Sequence, residues 1–261
     1  MRVSIIAVFL ITYVSFPCLK AQHVPVDPLM QAYQLALEKY HSASYASAYQ
    51  SFSDIEKASL SPHSMLAINA QYYKHRSGMK LFNEDALSSM KAFLEMYPNS
   101  TLFYEATKSI ADYYYQKRAY KNAALYYETI DLAELRKKDL PSCKFQYAYS
   151  LFEIGQMKAS ASFFHDLLTK DGAYKSEASY YFGYIAYTEG NYATAKQYFL
   201  ALLEQGLYLD ELPLYLVQMY HKQKAYDELI DFALPYIDSL ADNSYEIYKL
   251  IAEAYYHQQD Y

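Results

Sequence analysis

The stretch Ala119-Tyr120-Lys121-Asn122-Ala123 decides the fold, because it returns along the chain. It comes back as Ser44-Tyr45-Ala46-Ser47-Ala48, Gly155-Gln156-Met157-Lys158-Ala159-Ser160, Gly190-Asn191-Tyr192-Ala193-Thr194-Ala195 and Lys224-Ala225-Tyr226-Asp227-Glu228-Leu229. A last, interrupted copy is Gln259-Asp260-Tyr261. From Tyr120 through Met157, Tyr192 and Tyr226 to Tyr261 the steps are 37, 35, 34 and 35 residues. A near-constant period of this length marks a solenoid, in which each unit packs on its neighbours.

Reading outward from Tyr192, Ser179 to Tyr187 carries apolar residues at helical spacing. Thr188 to Asn191 reads as a turn, with Gly190 suited to a left-handed helix C-cap. Tyr192 then opens a second helix, in which Ala195, Phe199 and Leu202 share one face. Each unit is therefore expected to be an antiparallel helical hairpin. Small residues recur where the first helix must approach its partner: Ala36, Ala111, Ala148, Gly183, Val217 and Ala252. The second helix offers Ala48, Ala86, Ala123, Ser160 and Ala195, each with a large residue four positions on: Phe52, Met90, Tyr127, Phe164 and Phe199. The unit holding Leu229 and Ala233 breaks both patterns, and a longer turn is expected in the second unit, from about Arg76 to Phe82.

These residues resemble the tetratricopeptide repeat family over roughly 29–261. The Leu-Gly pair of that family is kept as Phe182-Gly183, its turn as Gly190-Asn191-Tyr192 and its repeat-ending proline as Pro98. Its Trp position is never Trp here. The resemblance implies an all-α, right-handed superhelical solenoid of antiparallel helix pairs, about six units plus a truncated last one. It also implies a concave groove lined by the first helix of each pair. Carried over residue by residue, the groove positions are Tyr115, Phe145, Tyr149, Phe152, Tyr180, Tyr184, Tyr187 and Tyr256. Such a strip suits a protein or peptide partner, since Tyr and Phe give large contact area for little rotamer entropy. The family's clamp for a C-terminal carboxylate is not expected, because Lys108 is followed one turn later by Asp112.

The ends of the chain carry separate expectations. Arg2 followed by the apolar run Val3 to Phe16 reads as a secretory signal, with cleavage after Ala21. That gives a signal peptide over 1–21, a short leader over 22–28 and the repeat array over 29–261. Lipid attachment at Cys18 is the competing reading, although Ser15-Phe16-Pro17-Cys18 fits a lipobox badly. If Cys18 leaves with the signal, Cys143 is the remaining thiol and is expected to be a small buried helix residue. The interrupted copy at Tyr261 leaves two readings: a fragment of a longer protein with further domains, or a last helix that pairs with something else.

Chemistry is not expected. The seven histidines make no i, i+4 pair, and the six glycines form no phosphate-binding loop or hydrolase elbow. Neither a metal nor a cofactor is anticipated. The net charge of −6 without a basic block argues against nucleic acid. The leading expectation is a non-catalytic scaffold exported to the periplasm or outer membrane, resembling Tyr-rich arrays of Bacteroidetes. The alternatives are a glycan-binding outer-membrane protein and the sensory N-terminal part of a longer membrane receptor.

Overall fold

The computed structural model describes residues 27–169, 172–237 and 244–259. The signal segment and Cys18 lie outside these residues, as does the phrase's last tyrosine. The described chain forms helices in adjacent pairs: α1 (Pro28–His41) with α2 (Tyr45–Ala58), α3 (Met65–Lys80) with α4 (Ala86–Met96), and α5 (Phe103–Gln116) with α6 (Tyr120–Glu128). Then come α7 (Leu140–Glu153) with α8 (Met157–Leu168), α9 (Lys175–Thr188) with α10 (Tyr192–Glu204), and α11 (Leu212–Lys222) with α12 (Tyr226–Ala233). A short 3-10 helix (Leu234–Tyr236) and α13 (Ser244–Gln259) complete the order, and no strand occurs among the described residues. The fold is all-α, a solenoid of helical hairpins.

The repeated phrase is the hinge of each hairpin. Tyr45, Tyr120, Met157, Tyr192 and Tyr226 are each the first residue of a second helix. Two positions earlier the backbone turns left-handed, at Ala43, Arg118, Gly155, Gly190 and Lys224. The next N–H then reaches back five residues to a carbonyl of the helix just ended: Ser44 to Lys39 (2.9 Å), Ala119 to Tyr114 (2.9 Å), Gln156 to Leu151 (2.9 Å), Asn191 to Ala186 (2.8 Å) and Ala225 to Tyr220 (3.0 Å). This is the Schellman arrangement, which satisfies carbonyls that a helix end would otherwise leave unpaired. The α3–α4 pair turns the same way, with Phe82 left-handed and the Asn83 N–H reaching Gly78 at 3.0 Å, so one geometry sets the angle in all six pairs.

The small and large positions meet as the period requires. Ala36, Ala111, Ala148 and Val217 are fully buried in the first helices, as are Ala48, Ala123, Ser160 and Ala195 in the second. Phe52, Met90, Phe164 and Phe199 are fully buried, and Tyr127 nearly so. The unit that broke the pattern exchanges sizes: Leu229 stands at the small position and Ala233 at the large one, both fully buried. The exchange keeps the packed volume about constant, the kind of core change proteins tolerate best.

Two expectations need correction. Arg76 to Lys80 is helix, not turn; only Leu81 to Asp85 connects α3 to α4. Gly78 lies within α3 because a Cβ there would stand 3.2 Å from the Ala86 Cβ, so it serves close approach instead of ending the helix. Ala252 is exposed, while Ala254 on the same helix is fully buried. Its position faces the second helix of its own pair, and the described residues contain none after α13.

First helices of successive pairs touch one another (α1 with α3, α3 with α5, α5 with α7, α11 with α13), whereas second helices make no comparable packing. The odd-numbered helices therefore form the inner face of the array.

Candidate functional site

The inner face changes character along its length. At α3 and α5 it is polar and charged. Arg76 donates to the Tyr72 hydroxyl at 2.8 Å, and its guanidinium lies over the rings of Tyr40 and Tyr72, 5.5 and 5.7 Å from their centroids. Lys108 and Asp112, one turn apart, form a largely buried ion pair at 2.8 Å. Tyr127 donates to the same carboxylate at 2.7 Å from α6. Arg76, Lys80, Asp112 and Gln116 line a shallow cleft between α3 and α5.

From α5 onward the face is aromatic. Tyr115 meets Tyr149 (5.8 Å between centroids), Tyr149 meets Phe152 (6.3 Å) and Phe152 meets Tyr184 (5.8 Å). Tyr184 in turn meets Tyr187 (6.3 Å), and both meet Tyr215, at 5.6 and 5.2 Å. The chain of rings thus runs unbroken through α5, α7, α9 and α11. Tyr115, Tyr149, Phe152, Tyr184, Tyr187 and Tyr215 are all half-buried, so each ring is anchored by packing yet keeps surface open. Edge and tilted contacts of this kind are each worth about 0.5–1.5 kcal/mol beyond simple burial.

Six of the eight positions read from the sequence fall on this strip, and two do not. Tyr180 joins at its side, stacked on Tyr208 at 4.5 Å and parallel to Tyr184 at 6.4 Å. Phe145 is only 9% exposed, stacked on Tyr174 at 4.9 Å and packed on Phe164, which makes it a core ring. Tyr256 is 67% exposed on α13, and its recorded ring partner is the adjacent His257. Tyr215 and Tyr181 were not anticipated. Tyr181 bridges strip and core, 5.2 Å from both Tyr149 and Phe152 and stacked on Phe164 at 5.3 Å. Their signal in the sequence was one position's offset from the groove register, in helices where tyrosines also stand at core positions.

Carboxylates accompany the rings. Tyr180 donates to Glu211 at 2.5 Å, and Tyr187 donates to the Gln218 carbonyl oxygen at 2.6 Å. The Gln218 amide passes the chain on to Glu246 at 2.6 Å. Burial pushes the Tyr115 hydroxyl up to about 12, with Tyr120 adding to the effect. Burial, then the Glu153 carboxylate, holds Tyr149 well above the ordinary phenol range; burial and Glu211 do the same for Tyr180. These hydroxyls stay protonated and able to donate across all physiological pH.

Cys143 is buried in α7, and burial pushes its thiol up to about 12, far from reactive. Among the described residues no group of three or more His, Cys, Asp and Glu could hold a metal ion, and no helix is long and apolar enough to cross a membrane.

No family model matches the chain, and no curated protein matches it in sequence. Solved structures do match in fold. A Pseudomonas aeruginosa pilF structure aligns with TM-score 0.56 at 13% identity, covering 86% of this chain and 97% of that one. A tetratricopeptide repeat protein from Parabacteroides merdae aligns at 0.53 and 11% identity, covering 87% and 98%. The C-terminal part of a TPR repeat-containing protein from Cytophaga hutchinsonii aligns at 0.51 and 15%, covering 88% and 84%. The chain therefore has the tetratricopeptide-like solenoid fold, and these identities speak to fold alone.

Proposed function

We propose that the protein is a non-catalytic scaffold that binds a partner protein through the inner face of its solenoid, with the aromatic strip from Tyr115 to Tyr215 as the docking surface. The observation that carries this reading is the unbroken, half-exposed chain of rings across four successive first helices. A folded core would bury such rings fully, whereas these keep open surface on the concave side. Rigid aromatic surface with protonated hydroxyls along it offers apolar contact and backbone hydrogen bonds together, as a peptide in extended or helical form requires. We further propose that the protein works in the cell envelope of a Gram-negative bacterium, in the periplasm or at the outer membrane, on the signal-like segment at 1–21.

The test is affinity capture from envelope extract with the C-terminally tagged chain, beside a Tyr149→Ala/Tyr184→Ala variant verified as folded by circular dichroism. A defined protein retained by the parent and lost by the variant supports the reading. Equal retention by both would move the binding surface elsewhere. Cell fractionation tests the location, and a purely cytoplasmic chain would contradict it.

A further inference from the structure

We infer that the segment received by this strip is a basic one, and that the inner face of α7, α9, α11 and α13 is built to take arginine or lysine side chains. The inference rests on the strip being the docking surface, and adds the chemistry of the partner.

Three carboxylates in this half stand beside inner tyrosines of α7 and α9. Glu153 stands one turn on from Tyr149 along α7 and acts on its hydroxyl. Glu211 accepts the Tyr180 hydroxyl. Glu246 is reached from Tyr187 through the Gln218 amide. All three acids are exposed.

Their partners are neutral groups, unlike those of the acids that form the chain's ion pairs. Glu56 is paired with Lys74, Glu105 with Arg136, Asp112 with Lys108 and Asp166 with Lys144. Among the described residues, no Lys, Arg or His lies within ion-pair distance of Glu153, Glu211 or Glu246. These three hold hydrogen-bond donors from neutral groups, and each keeps its negative charge uncompensated over the groove.

The rings complete the fit. A phenol face attracts a cation by its quadrupole. The chain itself shows the contact on the rim of the strip, where the Lys222 ammonium lies 5.3 Å from the Tyr187 centroid and 5.9 Å from that of Tyr192. Ring faces beside three carboxylates that form no ion pair make a receptor for more than one cationic side chain.

The charge reverses at the other end of the inner face. There Arg76 and Lys80 line the cleft together with Asp112. A basic segment is repelled from α3 and α5 and drawn to α7 through α13, so charge fixes where along the groove it lies.

The experiment uses the whole chain and two fluorescein-labelled synthetic peptides of about twelve residues, one alternating arginine and alanine, the other glutamate and alanine, read by anisotropy. The arginine peptide is expected to bind more tightly than the glutamate peptide by at least about tenfold. A Glu153→Gln/Glu211→Gln/Glu246→Gln variant should lose that preference. A control variant with the same charge change at exposed acids of α1, α4 and α10, Glu38→Gln/Glu95→Gln/Glu204→Gln, should keep it. Equal binding of both peptides overturns the inference, and so does loss of preference in the control variant, which would mean attraction to net charge alone. If Tyr149→Ala/Tyr184→Ala abolishes capture of a protein partner while the arginine peptide fails to compete with that partner, the docking surface stands and the basic chemistry falls.

Discussion

Gly183 and Phe199 meet where no side chain would fit: a Cβ on Gly183 would lie 2.6 Å from Phe199 Cε1 and 2.9 Å from its Cδ1. Phe199 is fully buried and wedged between Tyr180 and Tyr215, at 6.3 and 5.9 Å, so its ring has nowhere to retreat. Gly183→Ala is expected to destabilise the fold by about 2–3 kcal/mol through overpacking. Urea denaturation checks the loss. Adding Phe199→Leu should restore part of it, and strictly additive losses would refute the steric account.

Lys108 and Asp112 make the most deeply buried ion pair of the described residues, with side chains 9% and 17% exposed. Lys108→Met leaves the carboxylate with the Tyr127 hydroxyl as its recorded partner. The expected cost is about 3 kcal/mol, since stranding one partner of a buried pair is far worse than replacing both. Lys108→Met/Asp112→Leu should recover most of that cost in the same denaturation experiment.

The left-handed turn position is occupied by glycine at Gly155 and Gly190 but by Arg118 and Lys224 elsewhere. Gly190 has a φ of +78° and open space around its Cβ direction, so its requirement is conformational. Gly190→Ala should cost about 1 kcal/mol. Arg118→Gly relieves a similar strain while freeing the unfolded chain, so its net change should stay within about 0.5 kcal/mol. Paired thermal melts of the two variants distinguish these outcomes.

His75 gives the fold a pH dependence. Burial, helped by Lys74 and opposed by Glu56, lowers its imidazole to about 4. An unfolded histidine titrates near about 6.5. The unfolded chain therefore binds the proton first as pH falls, and this contribution is complete above about 6.5 and lost progressively down to about 4. The expected loss across that window is about 2–3 kcal/mol. Denaturation midpoints measured from neutral to acid pH should slope less in His75→Gln than in the parent.

The hairpins were legible because each turn repeats one backbone geometry, and that geometry writes a local signature around Tyr120, Tyr192 and Tyr226. Sizes at Ala195 and Phe199 were legible for the same reason: they answer to a fixed register. The turn expected from Arg76 to Phe82 was drawn too early, because a glycine such as Gly78 near a helix end looks the same whether it terminates the helix or admits a neighbour. Only its distance to Ala86 separates the two cases. The strip was legible as a register and not as a surface. Phe145 stands at a groove position, yet Tyr174 in the loop before α9 covers it, and such a contact leaves no trace in periodicity. Tyr215 was missed because its role depends on Tyr184 and Tyr187, which lie a whole repeat away.

The central claim, that the strip is where a partner docks, is tested most directly by hydroxyl-radical footprinting of the chain with and without its captured partner. Tyr115, Tyr149, Tyr184, Tyr187 and Tyr215 should lose most of their oxidation on binding, while Tyr104 and Tyr198, outside the ring chain, should not change. Protection confined to residues of the second helices, with the strip still oxidised, would contradict the account.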